Sequence, residues 1–316
     1  MSDKLDIIWN MSLVCPWDCD ICCVDAVHVK QKNGMIMLIS NNLIDIEMFE
    51  KDKTQSYYDQ ATIIRQEQGL ELNLEQKLKV LENLTGYKTK INLSGGDPLV
   101  VSENVEVIKR SSKLFGRELV QISTTGAGLS MQDPHEIASL VGKLKFSYDS
   151  VDGVYNPNRP SGYNNSNLKR ASEYSKKGTF TVAEIPLTIR NTSSETVNLI
   201  YENLQRARID QVLPMRLFPS GRGLNKIQEI PSREDYLRAI ETFQRLEKRY
   251  EKPSVKIQCA LIHLYNKKTK ENPCDLYRES FAITPNGLFT TSAWAIGLNG
   301  KPIDDAFVLG NISEQH

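Results

Sequence analysis

Short β-rich runs alternate with helical patterns along most of this chain, and that alternation restricts the fold more than any other feature. Strand-like runs fall at 7–14, 90–93, 118–123, 144–148, 180–187 and 212–217. Helical signals stand between them. Asn73 and Gln76 frame a helix start with Leu74, Leu78, Leu81 and Leu84 on one face. Ser102 is placed to cap a helix carrying Val105, Ile108 and Leu114. Asp133, Pro134 and Glu136 supply a cap, a first-turn proline and a dipole-favourable acid, in that order. Two more helices are expected, one from near Asn165 to Gly178 and one from near Ser194 to Ala207.

Strand and helix repeated six times with short links specify a parallel sheet wound by right-handed crossovers. Six units fall short of the eight that close a barrel. The expected fold is therefore α/β, an open, partial (β/α)6 TIM-like barrel over 1–220, with ligands at the carboxyl ends of its strands. Residues 221–316 read as a small α+β C-terminal extension. It opens with a helix started by Ser232 and Asp235, in which Tyr236, Ile240, Phe243 and Tyr250 fall at helical spacing. One stretch breaks the rhythm. Residues 24–72 are too long for an ordinary connection and read as a lid, a substrate-binding insertion or a surface insertion. Within it, 35–39 is an apolar run fit for a short strand.

The charge balance removes several function classes. Lys plus Arg and Asp plus Glu both number 39, so no basic excess argues for nucleic acid and no polybasic segment for an anionic membrane. The first residues lack the cationic start and apolar core of a signal peptide, and no apolar stretch reaches membrane-spanning length. Four of the six cysteines crowd into nine positions, a distribution unlike a disulfide framework, so a cytoplasmic location is expected.

Three of those cysteines carry chemistry. Cys15, Cys19 and Cys22 are spaced C-x3-C-x2-C directly after the first apolar run. The spacing suits a four-iron, four-sulfur cluster, and three thiolates would leave the fourth iron open to a small molecule. A zinc knuckle or a set of buried structural thiols remain the alternatives. Cys23 is a poor fourth ligand, because neighbouring residues on an extended chain point in opposite directions.

A second motif narrows the reading. Gly95-Gly96-Asp97-Pro98 follows the second strand. With the cysteine loop before it, on an alternating β/α chain, the sequence resembles the radical S-adenosylmethionine (radical SAM) superfamily over roughly residues 7–217. The resemblance implies one [4Fe-4S] cluster held by Cys15, Cys19 and Cys22, with SAM as the second cofactor. It implies reductive cleavage of SAM to a 5′-deoxyadenosyl radical that abstracts hydrogen from a substrate, fed by an external flavodoxin- or ferredoxin-type donor. Gly95, Gly96, Asp97 and Pro98 correspond to the family's Gly-Gly-Glu-Pro turn at the methionine end of SAM. Ser123 and Thr124, then Ser147 and Asp149, then Arg159 and Glu184 lie where relatives place cofactor contacts. For each of these, a polar strand end satisfying its own backbone is the competing explanation. Three departures stand out: Ile21 where an aromatic residue usually precedes the third cysteine, Asp97 for glutamate, and the extra Cys23.

The C-terminal segment resembles relatives of the SPASM and twitch subgroups, in which a further domain holds an auxiliary cluster. Cys274 and Gly287 match that pattern, but Ser292 stands where the next cysteine belongs and no later cysteine follows. The expectation is a degenerate domain without its cluster. Cys259 and Cys274 would then be either buried core thiols or catalytic hydrogen-atom donors. A small natural-product molecule (amino sugar, nucleoside or amino acid) is the expected substrate. A ribosomally made peptide is the alternative, weakened by a first strand that begins too close to Met1 for a leader-recognition domain. A non-catalytic iron–sulfur or SAM-binding sensor is the alternative of another class.

Overall fold

The structure is a computed structural model and describes residues 4–151, 159, 162–265 and 280–314. In chain order the elements begin with β1 (Lys4–Ser12), β2 (Val14–Cys15), β3 (Val27–Lys32), β4 (Met35–Ser40) and β5 (Asp45–Glu50). Helices α1 (Tyr57–Glu67) and α2 (Leu74–Asn83) lead into β6 (Lys88–Gly95). Regular alternation follows: α3 (Glu103–Phe115), β7 (Val120–Thr124), α4 (Pro134–Leu140), β8 (Lys143–Ser147), α5 (Tyr163–Lys176) and β9 (Phe180–Leu187). It continues through α6 (Ser194–Arg206), β10 (Gln211–Arg216), α7 (Arg233–Tyr250), β11 (Ser254–Val255) and α8 (Cys259–Tyr265). The chain closes with β12 (Ser280–Ile283), β13 (Leu288–Thr290) and β14 (Val308–Asn311).

Ten strands form one sheet in the order β11-β10-β9-β8-β7-β6-β1-β12-β13-β14. The six expected barrel strands are neighbours, β1, β6, β7, β8, β9 and β10, and every pairing among them is parallel. The partial-barrel reading holds. The C-terminal strands join the same sheet: β12 runs parallel beside β1, and β13 and β14 add antiparallel beyond it.

Period-two alternation decides which way each strand residue faces. One face presents Ile7, Trp9, Met11, Ile91, Leu93 and Ile122 to α2, α3 and α4 in a fully buried core. Further along, Phe146, Ala183, Ile185 and Val212 do the same against α5, α6 and α7. The residues between them, such as Asn10, Asn92, Lys145 and Glu184, point to the concave side and line a cavity there.

Local signals act largely as the sequence implies. Asn73 and Gln76 form a reciprocal capping box, as do Ser232 and Asp235, and the Asp133 carboxylate accepts from His135 N at 2.8 Å ahead of Pro134. Ser102 does not cap α3. Its hydroxyl donates to Asp59 Oδ2 at 2.8 Å, so a tertiary acceptor on α1 outcompetes the helix's own amides.

Residues 24–72 supply β3, β4 and β5, which join β2 in a four-stranded sheet, β2-β3-β4-β5, with α1 packed against it. Val27, Val29, Ile36, Leu38, Tyr58 and Ala61 bury there against Cys15 and Val14. The expected strand at 35–39 is β4. This unit underpins the cysteine loop, and only Val24 and Ala26 of it reach the cavity.

Candidate functional site

The site grows from the loop between β2 and β3. Cys15 pairs with His28 at the end of β2. The chain then turns through Cys19 and Cys22, closed by hydrogen bonds from Cys22 N to Cys19 O and from Asp25 N to Cys22 O, both 3.3 Å. Ala26 N donates to Cys22 Sγ at 3.4 Å. All three cysteines line one cavity of about 270 Å³ at the carboxyl ends of the parallel strands, together with Gly95 and Gly96. This is where chemistry sits in such folds.

The Gly95–Gly96 turn locks that loop to the barrel. Gly96 N donates to Ser12 O at 2.8 Å and Asp97 N to Val14 O at 3.0 Å. A Cβ on Gly95 would lie 2.1 Å from Ser12 O, and one on Gly96 would lie 2.3 Å from Val14 O. The glycines are therefore required first by the chain's own backbone, which fills the space a side chain would need.

Asp97 sits below this turn, fully buried and outside the cavity wall. Its carboxylate accepts from Thr124 Oγ1 at 2.9 Å, Thr125 Oγ1 at 2.6 Å, Leu99 N at 3.1 Å and Gly128 N at 3.2 Å. Burial raises its pKa against the pull of those donors. Thr125 Oγ1 in turn accepts from Trp17 Nε1 at 3.1 Å, which ties the cysteine loop to the end of β7. Pro98, also buried, opens the short turn after Asp97.

The remaining residues expected at the site converge. Ser123, Thr124, Ser147, Asp149, Arg159 and Glu184 all line the cavity. Ser123 Oγ donates to Asn92 Oδ1 at 3.1 Å. Arg159 forms a nearly buried ion pair with Asp149 at 2.7 Å and lies 4.8 Å above the Tyr163 ring. Trp17 meets the same ring edge-on at 5.1 Å. Burial raises the Glu184 pKa, opposed by Lys145, whose Nζ stands 3.8 Å away.

Other expectations fall elsewhere. Cys259 starts α8 and does not line the cavity, although its neighbour Gln258 does. Cys274 lies outside the described residues. Ser292 accepts from Trp294 N at 3.1 Å, and Trp294 stacks on Phe218 at 4.2 Å to form part of the cavity wall. Sequence reasoning missed Asn10, Asn92 and Lys145 on the inner strand faces. Their signal was present: each alternates with the apolar residues that face the helices. It also passed over Arg222 and Asp25, a fully buried ion pair of 3.0 Å linking positions far apart in the chain.

Three thiols on one cavity wall are the donors that a cluster with one open iron would take. Among the described residues, no three Cys, His, Asp or Glu side chains converge on one metal ion. The corners of a cubane are separate irons, each taking one thiolate. Burial pushes Cys15 well above its ordinary pKa, with Cys19 and Cys22 adding to the rise. Burial likewise pushes Cys19 up to about 11, against the pull of Arg159. Without a cationic centre these groups stay protonated at neutral pH, so iron binding must release protons.

No protein-family model matches the chain, and no curated protein matches it. Solved structures do. Streptococcus suis SuiB bound to S-adenosylmethionine aligns with a TM-score of 0.63 at 12% identity, over 92% of this chain and 60% of that one. Native anSMEcpe with bound AdoMet aligns at 0.60 and 13% identity, over 99% of this chain and 79% of that one. Coproporphyrinogen III oxidase (HemN) from Escherichia coli, a radical SAM enzyme, aligns at 0.53 and 10% identity, over 79% of this chain and 53% of that one. This chain thus spans 60% of the length of the SuiB chain. No membrane-spanning helix occurs among the described residues. At these identities the likeness lies in the path of the backbone, and the fold of this chain is that of the radical SAM enzymes.

Proposed function

We propose that this chain is a radical SAM enzyme acting at a single [4Fe-4S] cluster held by Cys15, Cys19 and Cys22. One observation carries the reading: those three thiols and the Gly95–Gly96 turn line a common cavity at the carboxyl ends of a parallel sheet. When bound, the cluster and SAM supply 5′-deoxyadenosyl radical chemistry, in which one electron from a flavodoxin- or ferredoxin-type donor cleaves SAM. The chain's own residues prepare the space. Trp17, Ile21 and Val24 give the loop side an apolar lining that excludes water, while Ser123, Ser147 and the Asp149–Arg159 pair supply polar contacts around it. Across the cavity, Lys145 and Glu184 are half-buried and far enough apart to keep hydrogen-bonding capacity for a substrate.

The substrate we infer is a small polar molecule of the amino sugar, nucleoside or amino acid type, in keeping with a cavity whose far wall carries Lys145, Glu184 and Gln258. A peptide is the second reading. It is favoured by the likeness to SuiB bound to its precursor peptide SuiA and to anSMEcpe bound to a peptide. The test is anaerobic reconstitution, reduction in the presence of SAM, and measurement of 5′-deoxyadenosine and iron. About four irons per chain and nucleoside release are expected. A fully loaded protein that releases no 5′-deoxyadenosine refutes the enzyme reading. Cys15→Ala, Cys19→Ala or Cys22→Ala retaining both iron and SAM cleavage refutes the ligand assignment.

A further inference from the structure

Arg222 is 1% exposed in its side chain, and Asp25, its ion-pair partner, is 0% exposed. The turn that carries Arg222 is pressed onto the cysteine loop. A Cβ on Gly221 would lie 2.5 Å from Cys22 O and 2.7 Å from Asp25 N. Arg222 N donates to Cys22 O at 2.9 Å, and its Nε donates to Cys19 O at 2.6 Å. Nη1 donates to Asp25 Oδ1 at 3.0 Å and to Ala26 O at 2.7 Å. Asp25 also accepts from Asn42 N at 3.2 Å and from Asn299 N at 2.7 Å, so its carboxylate is committed to the loop and its surroundings.

One donor is left over. Nη2 is buried and has no hydrogen-bond partner among the described residues. Buried polar groups in native proteins are paired, and an exception calls for a ligand or another role. Arg222 lines the same cavity as Cys15, Cys19 and Cys22. Its guanidinium keeps its charge under any working condition.

We propose that Arg222 is a positioning and tuning residue for the iron–sulfur cluster: its backbone N and Nε hold the carbonyls of Cys22 and Cys19, and its buried guanidinium sets a fixed positive charge beside the cluster. This inference rests on the cluster reading of the three cysteines. Reduction adds one electron and so one negative charge to the cluster. A fixed positive charge beside the cluster favours that reduced form, since net charge helps set such potentials. Asp25 sets the direction of the guanidinium by occupying Nη1.

The test compares wild type with Arg222→Lys, which keeps the charge and loses the fork, and with Arg222→Met combined with Asp25→Asn, which leaves no buried unpaired carboxylate. Each is reconstituted anaerobically, its iron counted, its fold checked by circular dichroism, and its cluster titrated by EPR at set potentials without SAM. The expected result is a folded variant that either fails to hold wild-type iron or has its reduced-to-oxidised ratio lowered at least tenfold at a given potential. A tenfold change corresponds to about 59 mV for one electron. Both variants keeping wild-type iron and midpoint would overturn the proposal while leaving the cluster reading intact. Wild-type protein that takes up no cluster overturns the cluster reading, and this inference with it.

Discussion

Gly96→Ala is the sharpest test of how the turn after β6 supports the cysteine loop. The added methyl would sit 2.3 Å from Val14 O, 2.6 Å from Leu13 O and 2.7 Å from Val14 C. Contacts below 3.0 Å are essentially never adopted by real Cβ atoms, so Val14 O must retreat by at least 0.7 Å. The obstacle is backbone, and no rotamer change relieves it. That carbonyl also accepts from Asp97 N at 3.0 Å, and the next residue is Cys15. Overpacking of this kind costs about 1–3 kcal/mol. For a domain somewhat smaller than this one, that corresponds to a fall in Tm of roughly 2–12 °C. Gly86→Ala is the control. Gly86 is exposed, carries no left-handed φ and has nothing within 4 Å of its Cβ position. There the substitution should raise stability by about 0.4–1 kcal/mol through the unfolded chain. Differential scanning calorimetry of the apo proteins reads the stability, and iron per chain after reconstitution reads the displacement of Cys15. An unchanged Tm together with wild-type iron in Gly96→Ala would refute the argument that the glycine is demanded by the β1–β2 backbone.

Other expectations follow from the same geometry. Arg65→Met strands the Glu71 carboxylate, whose side chain is 0% exposed, 2.6 Å from the lost guanidinium. The expected loss by urea denaturation is about 3–5 kcal/mol. Most of it should return in Arg65→Met/Glu71→Gln, because glutamine still accepts from Leu13 N at the position Glu71 Oε1 now fills; a double variant no more stable than the single would contradict this. Asp97 has a raised folded-state pKa, caused by burial, so its folded form binds the proton more tightly than the unfolded chain does. Stability from this group is full below the ordinary carboxylate value and is lost as pH rises through the elevated one. The stability of wild type relative to Asp97→Asn should accordingly decline with rising pH across that window, and a rising difference would reverse the assignment. Cys259→Ala should leave iron content and 5′-deoxyadenosine release unchanged, since Cys259 lies off the cavity wall; loss of either would place that thiol in the chemistry.

Much of the architecture is legible because its causes are local. The 180–187 strand matches β9 end to end, and the boxes at Asn73 and Ser232 form from residues three apart. Ser102 shows where locality fails: the hydroxyl was free to cap α3 until α1 brought Asp59 within reach. The pairing of β12 with β1 fails for the same reason. Four residues near the chain's end settle beside a strand near its start, and nothing in their own pattern names the partner. Inner-face residues are a different case. Reading each strand for its apolar content identified the helix-facing half and left Asn10, Asn92 and Lys145 unexamined, although period two assigns them to the concave side. Of the ten residues expected on the cofactor side, eight line the cavity, and Asp97 and Pro98 do not.

The Arg222–Asp25 pair shows what an incomplete barrel asks of its loops. In the sheet, four strands separate β10 from β1, and among the described residues no strand pairing closes the ring between its two edges. The turn after β10 nevertheless touches the loop after β2 through Arg222, Gly221 and the carbonyls of Cys19 and Cys22. Gly221 N donates to Ile296 O at 2.9 Å and Asp25 accepts from Asn299 N, so the C-terminal segment is drawn into the same contact. A buried ion pair is weak support for stability in itself, because desolvation offsets much of the attraction. Its value here is directional. The fork of donors specifies one approach of the sixth strand's exit to the loop after β2, and that approach brings the cysteines, the Gly95–Gly96 turn and the Lys145–Glu184 wall around one cavity. The polar contact that completes the barrel is the contact that completes the site.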